Sequence, residues 1–135
     1  GIHLDPFVVR LLLKAKGADR ISLISDSIAA AGKGDGQYKI WGETITVKDR
    51  RTSNLRGSIA GSVITMLDAV KMMLLLDTPE IDVARMSATS PARLLRIDNA
   101  CGSLEVGKRA DMVALDEHCN VRLTMVGGQI VFRAQ

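Results

Sequence analysis

The chain has 135 residues, of which 47% are hydrophobic and 24% charged, a balance that excludes a disordered polar tract and leaves room for a buried core. The formal charge is only +3 and aromatic residues make up 3%, so neither a strong electrostatic footprint nor stacking platforms for bases are supplied, and nucleic-acid binding is excluded as a leading function. The longest apolar run, Met72 to Leu76, is far too short to cross a bilayer, so no membrane association is expected.

The first residues, GIHLDP, carry no Met, and no signal sequence is expected in them, since Asp5 and Arg10 interrupt the hydrophobic stretch. They are expected to be the continuation of a larger fold. Pro6 suits a first helical position, and Phe7, Val8, Leu11, Leu12, Leu13 and Ala15 form an apolar face for a helix that Gly17 ends. Arg20 to Ser25 reads as a short buried strand, after which Asp26 stands where the apolar run stops. Strand end, helix and strand make most of a βαβ unit, hence a parallel sheet.

The Gly-rich stretch GKGDG (32–36) is not a phosphate-binding P-loop, because the required glycine–lysine spacing is absent; a mobile loop over a site is expected there instead. YKIWGETITVKDRR alternates with period two and predicts a β-hairpin excursion over about 37–56, with Gly42-Glu43 as its turn. Ser62 to Leu76 is apolar on nearly every side, which predicts a buried helix. The IAGS run (59–62) just before it would leave backbone N–H groups at a helix start, suited to an anionic or carbonyl ligand. Thr78-Pro79-Glu80 and Ser90-Pro91 predict two further capped helices. After Gly102 come three short strands, ADMVALD, VRLTMV and QIVF, the last two joined by a Gly127-Gly128 turn.

Helices with a parallel strand, followed by an antiparallel unit, predict an α/β fold: the edge of a (β/α)8 barrel plus part of a small β-sandwich. A complete barrel needs about 250 residues, so this chain supplies only the last units. In such barrels functional side chains stand at the carboxyl ends of strands. Asp26 occupies such a place, and so does His3 if Gly1-Ile2 closes the preceding strand; the two would then project into one pocket. An Asp after a strand also serves simply to cap a turn, and an isolated His also serves as a surface residue. His118-Cys119 lies in a polar turn and is read as structural, the methionines Met66, Met72 and Met73 as core filling. Cys101 and Cys119 form no framework, which fits a reducing cytoplasm.

The segment GSLEVGKRADMVALD (102–116) resembles the C-terminal signature of the amidohydrolase superfamily. GIHLDP, ISLISDS, GDGQY, IAGSVITM and ARMSATSPARLLRI follow the order seen in N-acetylglucosamine-6-phosphate deacetylases, a resemblance that covers essentially the whole chain. It implies residues 1–100 as the last strand-helix units of a metal-dependent hydrolase barrel and 101–135 as strands of the small β-sandwich domain. It also implies hydrolysis of the acetamide of an amino-sugar phosphate, with Asp26 as proton acceptor and donor at a metal-activated water.

By the same resemblance Gly1, Ile2 and His3 face the substrate, His3 at the N-acetyl group, and Ile59, Ala60 and Gly61 line the sugar site. Ser25 and Ser27 stand where the family usually has Thr and Ala. The family's divalent metal, zinc or a similar ion, is held by a Glu and two His on earlier strands that lie outside this chain, and most phosphate-gripping residues lie upstream or on a partner subunit. A cytoplasmic homodimer is implied for the full-length protein, and the isolated fragment is expected to be inactive. Two other readings stand beside this one: another amidohydrolase acting on a cyclic amide or as a deaminase, and a non-catalytic assembly module.

Overall fold

A computed structural model describes residues 1–135. Helix α1 spans Pro6–Lys16. Pro6 takes the first helical position, and Asp5 caps the helix by accepting the Phe7 N–H at 2.8 Å. Gly17, at φ 75°, turns the chain out of it.

The expected strand at Arg20–Ser25 does not form. Arg20 belongs to a single 3-10 turn, Ala18–Arg20. Ile21 is extended (φ −120°, ψ 136°), yet no ladder follows; the one parallel bridge joins Ser27 to Ser62. A strand is made by its hydrogen-bonding neighbours, and the apolar run Ile21, Leu23, Ile24 finds none within these residues.

The hairpin excursion is present and gains a strand. β1 (Gly36–Ile40), β2 (Glu43–Lys48) and β3 (Arg51–Asn54) form an antiparallel meander. Its first turn is Trp41-Gly42, one residue earlier than expected, because Ile40 pairs with Glu43. Trp41 (φ 50°) and Gly42 (φ 82°), like Asp49 (φ 51°) and Arg50 (φ 63°) in the second turn, adopt the paired positive φ of a type I′ turn, whose twist matches the strands. Alternation along β2 buries Ile45 and Val47 on one face. Ala30, with 1% of its surface exposed, closes over them together with Ile40, and Ile28, Tyr38, Ala60 and Val63 pack around the edge. The Gly-rich stretch is tied down rather than open: the Tyr38 hydroxyl donates to the carbonyls of Lys33 and Gly34, each at 3.0 Å, and Asp35 accepts the Asp49 N–H.

Helix α2 runs Met66–Leu75, later than the Ser62 start expected. Residues 62–64 are spent on extended pairing with 25–28, and Thr65 with Asp68 forms a reciprocal capping box that fixes the start. Its all-round apolarity does not translate into burial here; within the helix only Met73 is buried.

Helices α3 (Glu80–Ala84) and α4 (Ser90–Leu94) are joined by one π-helical turn, Arg85–Thr89, with no break in helical dihedrals at Ala84, Thr89 or Ser90. The expected Ser90 cap is therefore a mid-helix residue. Pro91 has no N–H for the carbonyl of Ser87 and its ring crowds that turn; the helix opens to five-residue spacing just before it, with the Ser90 N–H donating to Arg85. The buried Ser90 hydroxyl points instead to the carbonyls of Ala18 and Asp19 at 3.3 and 3.4 Å. Pro79 begins α3 without a side-chain cap, and the Thr78 hydroxyl is buried without a partner.

β4 (Met112–Leu115), β5 (Val121–Val126) and β6 (Gln129–Arg133) form a second antiparallel meander, with Gly127-Gly128 as the I′ turn expected. Asp111 accepts the Gly127 N–H at 2.7 Å and pairs with Arg109; the N–H, then the guanidinium, hold its carboxyl below the usual range. Asp116 brackets the β4–β5 turn by accepting the backbone N–H groups of His118 and Asn120, and the His118 side chain is exposed. The fold is thus mixed α/β with two small antiparallel sheets, in two compact units: Gly1–Ala15 with Leu23–Thr78, and Lys16–Ser22 with Pro79–Gln135. No helix is long and apolar enough to cross a membrane.

Candidate functional site

All the residues singled out for chemistry fall in the first of these units. Asp26 is exposed and held at φ 49°, a left-handed conformation that Asp tolerates better than most residues. Two backbone hydrogen bonds fix that geometry. The Ser62 N–H donates to the Asp26 carbonyl at 2.8 Å, and the Ile28 N–H donates to the Ser62 carbonyl at 2.9 Å. The hydroxyl of Ser62 adds a bond to the Ser25 carbonyl and that of Ser27 one to Ile64. With its backbone so pinned, the Asp26 carboxylate itself makes no hydrogen bond or ion pair.

Gly61 lies directly against this carboxylate. A Cβ there would meet Ile28 Cγ2 at 2.7 Å, the Asp26 carbonyl at 3.0 Å and Asp26 Oδ2 at 3.7 Å, at a φ of 70° that already disfavours a side chain. Glycine is therefore a requirement of the close approach. Thr52 locks the same run from the other side, its hydroxyl donating to the Gly61 carbonyl at 2.6 Å and accepting the Ala60 N–H at 3.3 Å. IAGS does not stand at a helix start, because α2 begins only at Met66, and within it the N–H groups of Ala60 and Ser62 are engaged by Thr52 and Asp26.

Ile2, His3 and Ile59 meet elsewhere, on a cleft of about 480 Å³ whose other walls are Lys48, Asp49, Arg51, Thr52 and Ser53. Asp26 is not one of its walls, so Asp26 and His3 do not share one pocket within this chain. Gly1 packs near Met72. The two places are joined by three consecutive residues, with Ile59 on the cleft and Gly61 on Asp26. Sequence reasoning missed Thr52, Lys48 and Arg51. The period-two pattern placed them on a hairpin, and nothing local said that the hairpin would bend back to residues 59–61.

A profile of the amidohydrolase family matches residues 7–131. The chain belongs to the amidohydrolase family. Among its relatives in that family, the N-acetylglucosamine-6-phosphate deacetylase of Bacillus subtilis (strain 168) is 35% identical over 133 residues, which is 98% of this chain and 34% of that protein. The crystal structure of the Thermotoga maritima N-acetylglucosamine-6-phosphate deacetylase superposes with a TM-score of 0.93 at 36% identity, over 99% of this chain and 37% of that one. A Mycobacterium smegmatis deacetylase, an aspartate-to-alanine variant in complex with N-acetyl-D-glucosamine-6-phosphate, superposes with a TM-score of 0.88 at 32% identity, over 97% of this chain and 35% of that one. The chain spans about a third of the length of these relatives.

Membership of this family with deacetylase relatives implies a divalent metal ion. The residues of this chain do not fit one: no group of three His, Cys, Asp or Glu side chains lies close enough to hold it. Asp26 has no second ligand beside it, and its neighbours Gly61, Ile28 and Ser62 offer backbone and apolar groups instead.

Proposed function

We propose that the protein carrying these residues hydrolyses the acetamide of N-acetylglucosamine 6-phosphate, giving glucosamine 6-phosphate and acetate. The reading places residues 1–100 in the closing strand-helix units of a (β/α)8 barrel and 101–135 in the accompanying β-sandwich. The divalent ion, zinc or a similar one, is assigned to ligands beyond these residues. The observation that carries the proposal is the unpaired Asp26 carboxylate, clamped by its own backbone and faced by a glycine that leaves its approach open.

In amide hydrolysis water adds to the acetyl carbonyl carbon, the C–N bond breaks, and the departing nitrogen needs a proton. A carboxylate free of ion-pair partners accepts the water proton and returns it to that nitrogen. Asp26 takes this role. His3 donates a hydrogen bond to the carbonyl oxygen as charge gathers on it, and Ile2 with Ile59, Ala60 and Gly61 forms the wall against which the sugar rests.

The test is acetate release by the purified protein with Asp26→Asn beside wild type. Asn tolerates the φ of 49° at this position, so the fold is preserved. Turnover is expected to fall by about 10²–10⁴-fold while glucosamine 6-phosphate still binds. An equal loss of binding and turnover removes Asp26 from the proton-transfer role.

A further inference from the structure

One buried hydroxyl beneath the first meander is spent outside the strand that carries it. Thr52 lies on β3 opposite Val47 and is only 5% exposed, a place where valine would fill the same space with no polar atom to satisfy. The chain's exit from β3 does not call on that hydroxyl. Asn54 closes the turn there, its side chain accepting the N–H groups of Arg56 and Ser58 and its backbone bonding to Gly57 and Ser58. The Thr52 hydroxyl goes instead to the run beyond, donating to the Gly61 carbonyl at 2.6 Å and accepting the Ala60 N–H at 3.3 Å.

The carbonyl of Gly61 and the N–H of Ser62 belong to one peptide group, planar and rigid. That N–H donates to the Asp26 carbonyl at 2.8 Å. Thr52 therefore holds one end of a peptide whose other end holds Asp26, and each bond polarises the next. Asp26 sits at φ 49°, in the sparsely populated left-handed region, so its conformation depends on restraint from outside. Gly61 also faces the carboxylate, a Cβ there falling 3.7 Å from Asp26 Oδ2. On its other side Thr52 borders the cleft with His3 and Ile59. We infer that Thr52 is a positioning residue for Asp26, acting through the Gly61–Ser62 peptide. Its catalytic consequence rests on the deacetylase reading: without the hydroxyl the carboxylate drifts from the bond being cleaved, and rate is lost while the sugar is still held. A misplacement of about 1 Å is enough to cost roughly a hundredfold in rate.

The experiment compares wild type, Thr52→Val, Thr52→Ser and Ile45→Ala in the full-length protein that carries these residues. Valine keeps the shape and removes the hydroxyl, whereas serine keeps the hydroxyl. Ile45→Ala opens the core under the same meander with the hydroxyl left in place, and so controls for lost stability. Acetate release from N-acetylglucosamine 6-phosphate is measured below the unfolding range of all four, together with hydrogen exchange at the Ser62 N–H. Thr52→Val is expected to lower kcat by about 10–100-fold, with a much smaller change in KM and faster Ser62 exchange. Thr52→Ser should restore most of both. Ile45→Ala should lower the unfolding midpoint at least as far as Thr52→Val and keep the wild-type kcat. A wild-type kcat in Thr52→Val, an equal fall in Ile45→Ala, or no recovery with serine overturns the inference. So does Ser62 exchange that ignores the hydroxyl, whether or not acetate is released. No acetate release by wild type, with Ser62 exchange set by the hydroxyl, overturns the deacetylase reading and leaves the Thr52 clamp on Asp26 standing.

Discussion

The two antiparallel meanders are built alike and end differently. The first uses two-residue turns with both central residues at positive φ at both connections; the second uses one such turn, Gly127-Gly128, and a longer Asp116–Asn120 connection between β4 and β5. In β1–β3 one face is sealed: Ile45 and Val47 are 5% and 3% exposed beneath Ala30. In β4–β6 every residue of the last strand is exposed, with Val131 at 60% and Phe132 at 49%. Turn chemistry therefore sets strand pairing in both, while burial is decided by whether a flanking segment folds over the sheet. In the first meander that segment, residues 28–30 and 60–63, is also the one that holds Asp26 and Gly61. Its core and its candidate chemistry share a scaffold.

The sharpest way to break this comparison uses one tightly enclosed glycine from each unit. A Cβ at Gly102 would stand 2.4 Å from Ala92 Cβ and 3.1 Å from the Ala88 carbonyl, at φ 89°. Gly102→Ala is expected to destabilise by about 3–5 kcal/mol, combining overpacking with backbone strain. Gly61→Ala meets slightly more room and should cost about 2–4 kcal/mol. In urea unfolding both midpoints fall. Among molecules still folded, only Gly61→Ala should lose acetate release as well, because only there does the added carbon displace Asp26.

A smaller effect separates the sheets themselves. Ile45→Ala should cost about 2–3 kcal/mol, since a buried side chain leaves a cavity, whereas Val131→Ala should stay within about 0.5 kcal/mol. Comparable losses would mean that β6 is covered in solution.

The smallest expected effect sharpens the picture at α2. Hydrogen bonding from Arg50, then the Thr65 N–H, lowers the Asp68 pKa to about 2. A carboxyl whose folded pKa is depressed contributes its stability fully above the ordinary value of about 4 and loses it as pH falls through its folded pKa. Asp68→Ala should therefore cost about 1 kcal/mol at neutral pH, the worth of a helix cap, and the gap from wild type should close between about pH 4 and pH 2.

Local chemistry made much of this fold readable. Pro6 and Gly17 bracket α1 as expected, and Gly127-Gly128 joins β5 to β6. The signal failed wherever a distant partner decides the outcome. Ile21 to Ser25 has strand composition but no neighbour among these residues to ladder with, and Ser62 to Ile64 has helix composition but is committed to residues 25–28. Ser90-Pro91 carries the mark of a helix start, yet Ser90 finds its acceptors 71 and 72 residues away. Of the candidate site, Asp26 and Gly61 were visible as residues through family resemblance. Their contact, and the bend that brings Thr52 to Gly61, depend on tertiary hydrogen bonds that no short window contains.

The five-residue turn at Arg85–Thr89 behaves as an inserted amino acid frozen into a helix. Deleting one residue there would restore regular pitch but swing everything beyond it by about 100°, carrying Ser90 off the carbonyls of Ala18 and Asp19. Gain and loss of single codons in this stretch should consequently be rare, since the shorter helix would be locally more regular and globally misaligned.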